Sequence, residues 1–149
     1  MVSRVAVLGA GSWGTTVASL LAPVVSTVLW ARRTELADDL NAGRGNKRYL
    51  PGFDLPADLE ATADLGEATS DAALVLVAVP TQGFRAVLEG SSATLGAAVP
   101  VVSLAKGFER GSCLRMTEVV SEVLPGRPVG VLTGPNLAKE GIEGRSSAA

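Results

Sequence analysis

Residues 4–14 read Arg-Val-Ala-Val-Leu-Gly-Ala-Gly-Ser-Trp-Gly. A short apolar run passes directly into Gly-x-Gly-x-x-Gly, with the glycines at Gly9, Gly11 and Gly14. Each glycine has its own task when a strand turns into a helix beneath a pyrophosphate. Gly9 permits the tight turn. Gly11 lets the backbone approach the phosphates, and Gly14 lets the helix pack closely on the strand. The following helix aims its free N–H groups and its dipole at the anion. The triplet also occurs as a plain Gly-rich turn in other α/β domains. Its position between an N-terminal strand and a helical stretch favours dinucleotide binding.

Outward from this loop, apolar runs alternate with helical patterns. Strands are expected at 5–8, 27–30, 73–79, 99–104 and 128–132. Helices are expected at 13–22, 35–42, 65–69, 82–88 and 114–124, with another starting at 136–140. Pro23 ends the first helix because it has no N–H to donate. Thr34 and Thr81 stand where side-chain N-caps are useful. Residues 43–56 are polar, contain Gly and Pro, and read as a loop. The continuous apolar runs at 73–79 and 99–104 suit strands covered on both faces. This β-α-β-α order predicts a Rossmann-type, doubly wound α/β fold with a mainly parallel sheet. Residues 1–140 form one NAD(P)-binding domain in this reading. Residues 141–149 are expected as a truncated end or an engineered tail, since 142–145 spell Ile-Glu-Gly-Arg, a common engineered protease site.

Composition narrows the function classes. A formal net charge of −2 without basic-aromatic interleaving argues against nucleic acid. No apolar run reaches membrane-spanning length, so no membrane insertion is expected. Because the first strand starts within a few residues, no leader is expected. Cys113 is the one cysteine, which excludes an internal disulfide framework and points to a reducing, cytoplasmic setting. The chain has no histidine, and its acidic residues lack metal-ligand spacing, so no metal site is expected. Cys113 is expected to be buried or half-buried, and Trp30 to belong to the core.

Ligands of such sheets lie beyond the carboxyl ends of the strands. The second strand end carries Arg32 and Arg33 where a NAD-specific site usually holds an acid. Guanidinium groups suit a 2′-phosphate, so NADP(H) is favoured and NAD(H) remains possible. The pair is alternatively a solvated surface feature, and Glu35 is a weaker candidate for the acid. Lys106 follows a buried run and must emerge at the rim, near phosphate or substrate, or else simply snorkel to solvent. Residues 133–140 offer either a second anion-binding loop or an ordinary capped helix start. Trp13 either covers the pyrophosphate or packs on its loop.

The segments Gly9-Ala-Gly-Ser-Trp-Gly-Thr, Leu29-Trp-Ala-Arg-Arg, Arg48-Tyr-Leu-Pro, Val79-Pro-Thr, Lys106-Gly-Phe-Glu and Thr133-Gly-Pro-Asn-Leu-Ala-Lys-Glu together resemble the bacterial NAD(P)-dependent glycerol-3-phosphate dehydrogenases over about residues 3–140. The resemblance implies reversible hydride transfer between NAD(P)H and dihydroxyacetone phosphate or sn-glycerol 3-phosphate, feeding phospholipid synthesis in the cytoplasm. It implies cofactor contacts at Ser12, Trp13, Arg32, Arg33, Tyr49, Lys106 and Ala138. Substrate contacts fall at Lys106, Gly134 and Asn136. Two departures stand out. The turn Pro23-Val-Val-Ser26 lacks the family's usual glycine. The family's second, largely helical domain, with its general acid/base lysine and an Arg-Asn substrate pair, has no counterpart in these residues. The fragment alone is therefore expected to bind cofactor but to turn over slowly or not at all, and a homodimer of the intact enzyme stays open. A non-catalytic NADP(H)-binding module, a truncated product and a related dehydrogenase of another small substrate are the alternatives. Flavin or S-adenosylmethionine binding fits the paired arginines less well.

Overall fold

The computed structural model describes residues 2–134 and 138–144. Its strands are β1 (Arg4–Leu8), β2 (Ser26–Trp30), β3 (Glu60–Thr62), β4 (Leu74–Val77), β5 (Val101–Ser103) and β6 (Val129–Val131). They form one sheet in the order β3-β2-β1-β4-β5-β6, and every pairing is parallel. The helices are α1 (Ser12–Leu21), α2 (Thr34–Asn41), α3 (Leu65–Thr69), α4 (Thr81–Ser91), α5 (Met116–Val123) and α6 (Ala138–Ile142).

Side chains alternate across a strand, and that alternation builds two cores. Ala6, Leu8, Val28, Trp30, Val75 and Val77 turn to one face and meet Phe84, Leu88, Val119 and Val120 from α4 and α5. Val5, Val7, Leu29 and Leu76 turn to the other and meet Val17 and Ala18 of α1 with Leu36 and Leu40 of α2. Both faces of the central strands are thus covered, which is why their sequences are apolar throughout rather than alternating. Trp30 is buried as expected, and its indole Nε1 donates to the Ala63 carbonyl at 3.1 Å.

Sheet hydrogen bonding continues one residue beyond several strand ends. Gly9 N donates to Trp30 O (3.1 Å), Ala78 N to Leu8 O (2.8 Å), Leu104 N to Val77 O (2.9 Å) and Leu132 N to Ser103 O (2.9 Å). The rim from which a ligand would be held is therefore stitched across the sheet.

Several local expectations change. β3 lies in a stretch assigned no strand; it is a three-residue edge strand with only Ala61 buried, too short to show a period. Thr34 and Thr81 are the first residues of their helices rather than side-chain caps. The chain stays extended through Arg33 and Pro80, neither of which caps through its side chain. Asp64 is a true cap, accepting from Glu67 N at 2.9 Å. Cys113 is exposed, not buried, and has a left-handed φ of +57° in the turn after Ser112. The glycine-free turn at 23–26 closes through Val24 N and Val25 N, which both donate to Leu21 O. α6 takes the chain from Ala138 to Ile142 and buries Gly141.

Candidate cofactor site

The glycine loop lies between β1 and α1, at the point where strand order reverses. Gly9 has φ +119°, and a Cβ there would stand 2.9 Å from the backbone of Ala78. At Gly14 a Cβ would stand 1.9 Å from the Gly9 carbonyl oxygen, so helix and loop touch only because the side chain is absent. Gly11 differs: nothing lies within 4 Å of its Cβ position. Packing does not demand glycine there, and the open space fronts the start of α1. That helix has no side-chain N-cap and no acidic residue in its first turn. Its first-turn donors and partial positive charge are left for an external anion. A pyrophosphate fits these features.

At the end of β2, Arg32 and Arg33 are both exposed. Beside them is a depression of about 350 Å³ lined by Arg33, Glu35, Leu36, Asp39, Lys47 and Arg48. Its far wall belongs to the 43–56 loop, which is tied to the glycine loop by Asn46. This side chain is 1% exposed. Its Nδ2 donates to Ala10 O (3.0 Å) and Thr15 Oγ1 (2.8 Å), and its Oδ1 accepts from Tyr49 N (3.1 Å). Ser12 Oγ donates to the Tyr49 carbonyl, and the Arg48 guanidinium lies 5.5 Å from the Tyr49 ring centroid. Ser12 and Tyr49, far apart in sequence, are thus brought together. Asn46 has no signature in the sequence, because a polar residue in a polar loop carries no hydropathy signal. Only its place three residues before Tyr49 hints at a turn.

At the other end of the rim, Lys106 is exposed beyond β5, and its Nζ donates to the Gly134 carbonyl. Two residues expected on the substrate side therefore meet. Gly107 has φ +109°, which an L side chain adopts only under strain. The loop carrying Lys106 is anchored by Glu109, which takes a two-pronged contact from Arg85 (2.8 Å each) and one from Ser112 Oγ (2.6 Å). Hydrogen bonding from Arg85 and then Ser112 holds the Glu109 carboxyl at about 2, well below its usual value. Arg85, bonded also to Glu122, is shifted upward.

α6 rests on α1. Thr16 Oγ1 donates to Ala138 O at 3.1 Å, and a Cβ at Gly141 would stand 3.3 Å from the Trp13 ring. Trp13 therefore packs between the two helices. Its Nε1 is buried without a hydrogen-bond partner among the described residues. Asn136 lies outside the described residues, as do 145–149. Among the described residues no helix is long and apolar enough to cross a membrane.

An all-parallel sheet of this strand order, with a glycine loop at its reversal point, defines the Rossmann-type class of α/β domains. Residues 4–149 match the family described as NAD-dependent glycerol-3-phosphate dehydrogenase N-terminus, and the chain belongs to that family. It is 48% identical over 145 residues to a protein of Sphingopyxis alaskensis named glycerol-3-phosphate dehydrogenase [NAD(P)+] 2, covering 97% of this chain and 44% of that one. A Mycobacterium avium protein named glycerol-3-phosphate dehydrogenase [NAD(P)+] is 50% identical over 147 residues, with 98% and 43% covered. The crystal structure of the Coxiella burnetii glycerol-3-phosphate dehydrogenase superposes with TM-score 0.88 at 34% identity, covering 95% of this chain and 43% of that one. The chain thus spans less than half the length of these relatives.

Proposed function

We propose that this chain is the cofactor-binding part of a glycerol-3-phosphate dehydrogenase. In that role it holds NADP(H) in preference to NAD(H) for the interconversion of dihydroxyacetone phosphate and sn-glycerol 3-phosphate. The observation that supports this most is the uncapped, acid-free start of α1 behind the open space at Gly11. When bound, the nicotinamide supplies the hydride or accepts it. The protein's own groups bind and orient. Backbone N–H groups at Ser12 and Trp13 receive the pyrophosphate, with Tyr49 and Ala138 flanking the cofactor. Arg32 and Arg33 provide cationic donors at the adenosine end. Lys106, presented at the rim by the Glu109 anchor, sets a positive charge where the substrate's oxygen or phosphate would lie and stabilises negative charge there. Gly134 and Asn136 complete the substrate side. The general acid is supplied from outside these residues in this account, so the 149-residue chain binds cofactor but has little turnover.

The intact enzyme would work in the cytoplasm, provide a precursor for phospholipids, and pair with a second copy of itself. The test is a titration of the purified chain with NADPH, followed by an assay with dihydroxyacetone phosphate. Saturable binding with negligible turnover is expected. A robust rate from this chain alone would overturn the division of labour, and absence of dinucleotide binding by folded protein would overturn the function.

A further inference from the structure

The arginine pair after β2 is not the whole of the cationic surface at the adenosine end. The depression beside it is lined by three cations: Arg33 at the end of β2, and Lys47 and Arg48 from the 43–56 loop. Arg32 does not line it. Of the two acids present, Asp39 is engaged by Arg44 at 2.6 Å, which leaves Glu35 against three positive charges. Neither Arg33 nor Lys47 makes an ion pair among the described residues, so their charge is not spent within the protein. The loop is also fixed in place. Asn46, adjacent to Lys47, is buried and bonded to the glycine loop at Ala10 and to α1 at Thr15. The wall that carries Lys47 and Arg48 is therefore referenced to the same loop that would receive the pyrophosphate.

We infer that Lys47 and Arg48 act with Arg33 as a three-cation clamp for a phosphate on the adenosine ribose, and that this clamp, more than the Arg32–Arg33 pair, sets the preference for the phosphorylated dinucleotide. This rests on the dinucleotide-binding function proposed above and assigns its specificity to particular residues. A 2′-phosphate brings about two negative charges, and cations converging from two chain segments hold it with charge-assisted bonds. A ribose with free hydroxyls gains little from the same groups. The clamp therefore discriminates between the cofactors rather than strengthening both.

The experiment is calorimetric titration of the wild-type protein and of the K47Q/R48Q, R32Q and R110Q variants with NADPH, NADH, 2′,5′-ADP and 5′-AMP. All four positions are exposed, and a thermal melt confirms that each variant is folded. K47Q/R48Q should raise the Kd for NADPH and for 2′,5′-ADP about tenfold or more, as loss of charged hydrogen bonds does. NADH and 5′-AMP should change less than about threefold, because they lack the phosphate. R32Q should have the smaller effect on NADPH, and R110Q, which removes a charge outside the depression, should leave the NADPH-to-NADH ratio unchanged. Equal losses for NADPH and NADH in K47Q/R48Q, or no loss for either, would overturn the clamp. So would an R110Q variant that reproduces its effect. Wild-type protein that binds 2′,5′-ADP over 5′-AMP but neither dinucleotide would overturn the function proposed above and leave the clamp standing.

Discussion

The two ends of the rim are built differently. At the adenosine end, β1 and β2 are each five residues long and almost wholly buried. The loop above them is pinned by the buried hydrogen bonds of Asn46 to Ala10 and Thr15. At the Lys106–Gly134 end, β5 and β6 have three residues each, and no residue of β6 is fully buried. Phe108 is 60% exposed and Val131 57%. Lys106 is exposed and bonded to the Gly134 carbonyl, and its loop is anchored by the half-buried Arg85–Glu109 ion pair. The first end is fixed by its own core. The second relies on surface contacts, so charge and packing should matter in opposite proportion at the two ends.

Substitutions can break or sharpen that contrast. The largest effect is expected at Gly14→Val, which drives a side chain into the Gly9 carbonyl and should cost about 3 kcal/mol or more in a denaturant melt, beyond ordinary overpacking. Gly11→Ala, three residues away, meets nothing; stability should hold within about 0.5 kcal/mol while NADPH affinity falls. Equal destabilisation by both would dissolve the distinction between a packing glycine and a ligand glycine. Asn46→Ala strands buried partners at Ala10 and Thr15 and should cost about 1–3 kcal/mol by the same melt. Lys106→Ala should instead leave the melt within about 0.5 kcal/mol, because the side chain is exposed, and act on substrate turnover in the intact enzyme.

The smallest effect concerns pH. Glu109 is held at about 2, below its ordinary 4.5, so its contribution to stability is fully present above pH 4.5 and is lost as pH falls toward 2. Acid titration of Glu109→Gln should lack that part of the decline. An unchanged acid profile would mean that the Arg85 contact does not hold the loop.

Much of the fold was legible because it rests on patterns that act locally. The glycine spacing, the doubly apolar strands and the proline after the first helix each have a physical meaning within a few residues. The helix expected at Leu65–Thr69 has those bounds in the structure. What escaped was tertiary. β3 exists because β2 offers it an edge, and its Glu-Ala-Thr has no signature of its own. Asn46 matters because of where the loop folds back, and Trp13 found its neighbour in α6. Cys113 is exposed because a left-handed turn, not hydropathy, decides its place. Among the candidate site residues, Lys106 and the turn at Gly134 stand out from their places at strand ends, whereas Ser12 and Tyr49 are pointed to only by the family resemblance. The hydrogen bonds that join them in pairs came only with the fold.

The measurement that bears most directly on the central claim is a side-by-side calorimetric titration of the purified protein with NADPH and NADH. One saturating site per chain, tighter for NADPH, is the expected result. A cooperatively folded protein that takes up neither nucleotide would contradict it.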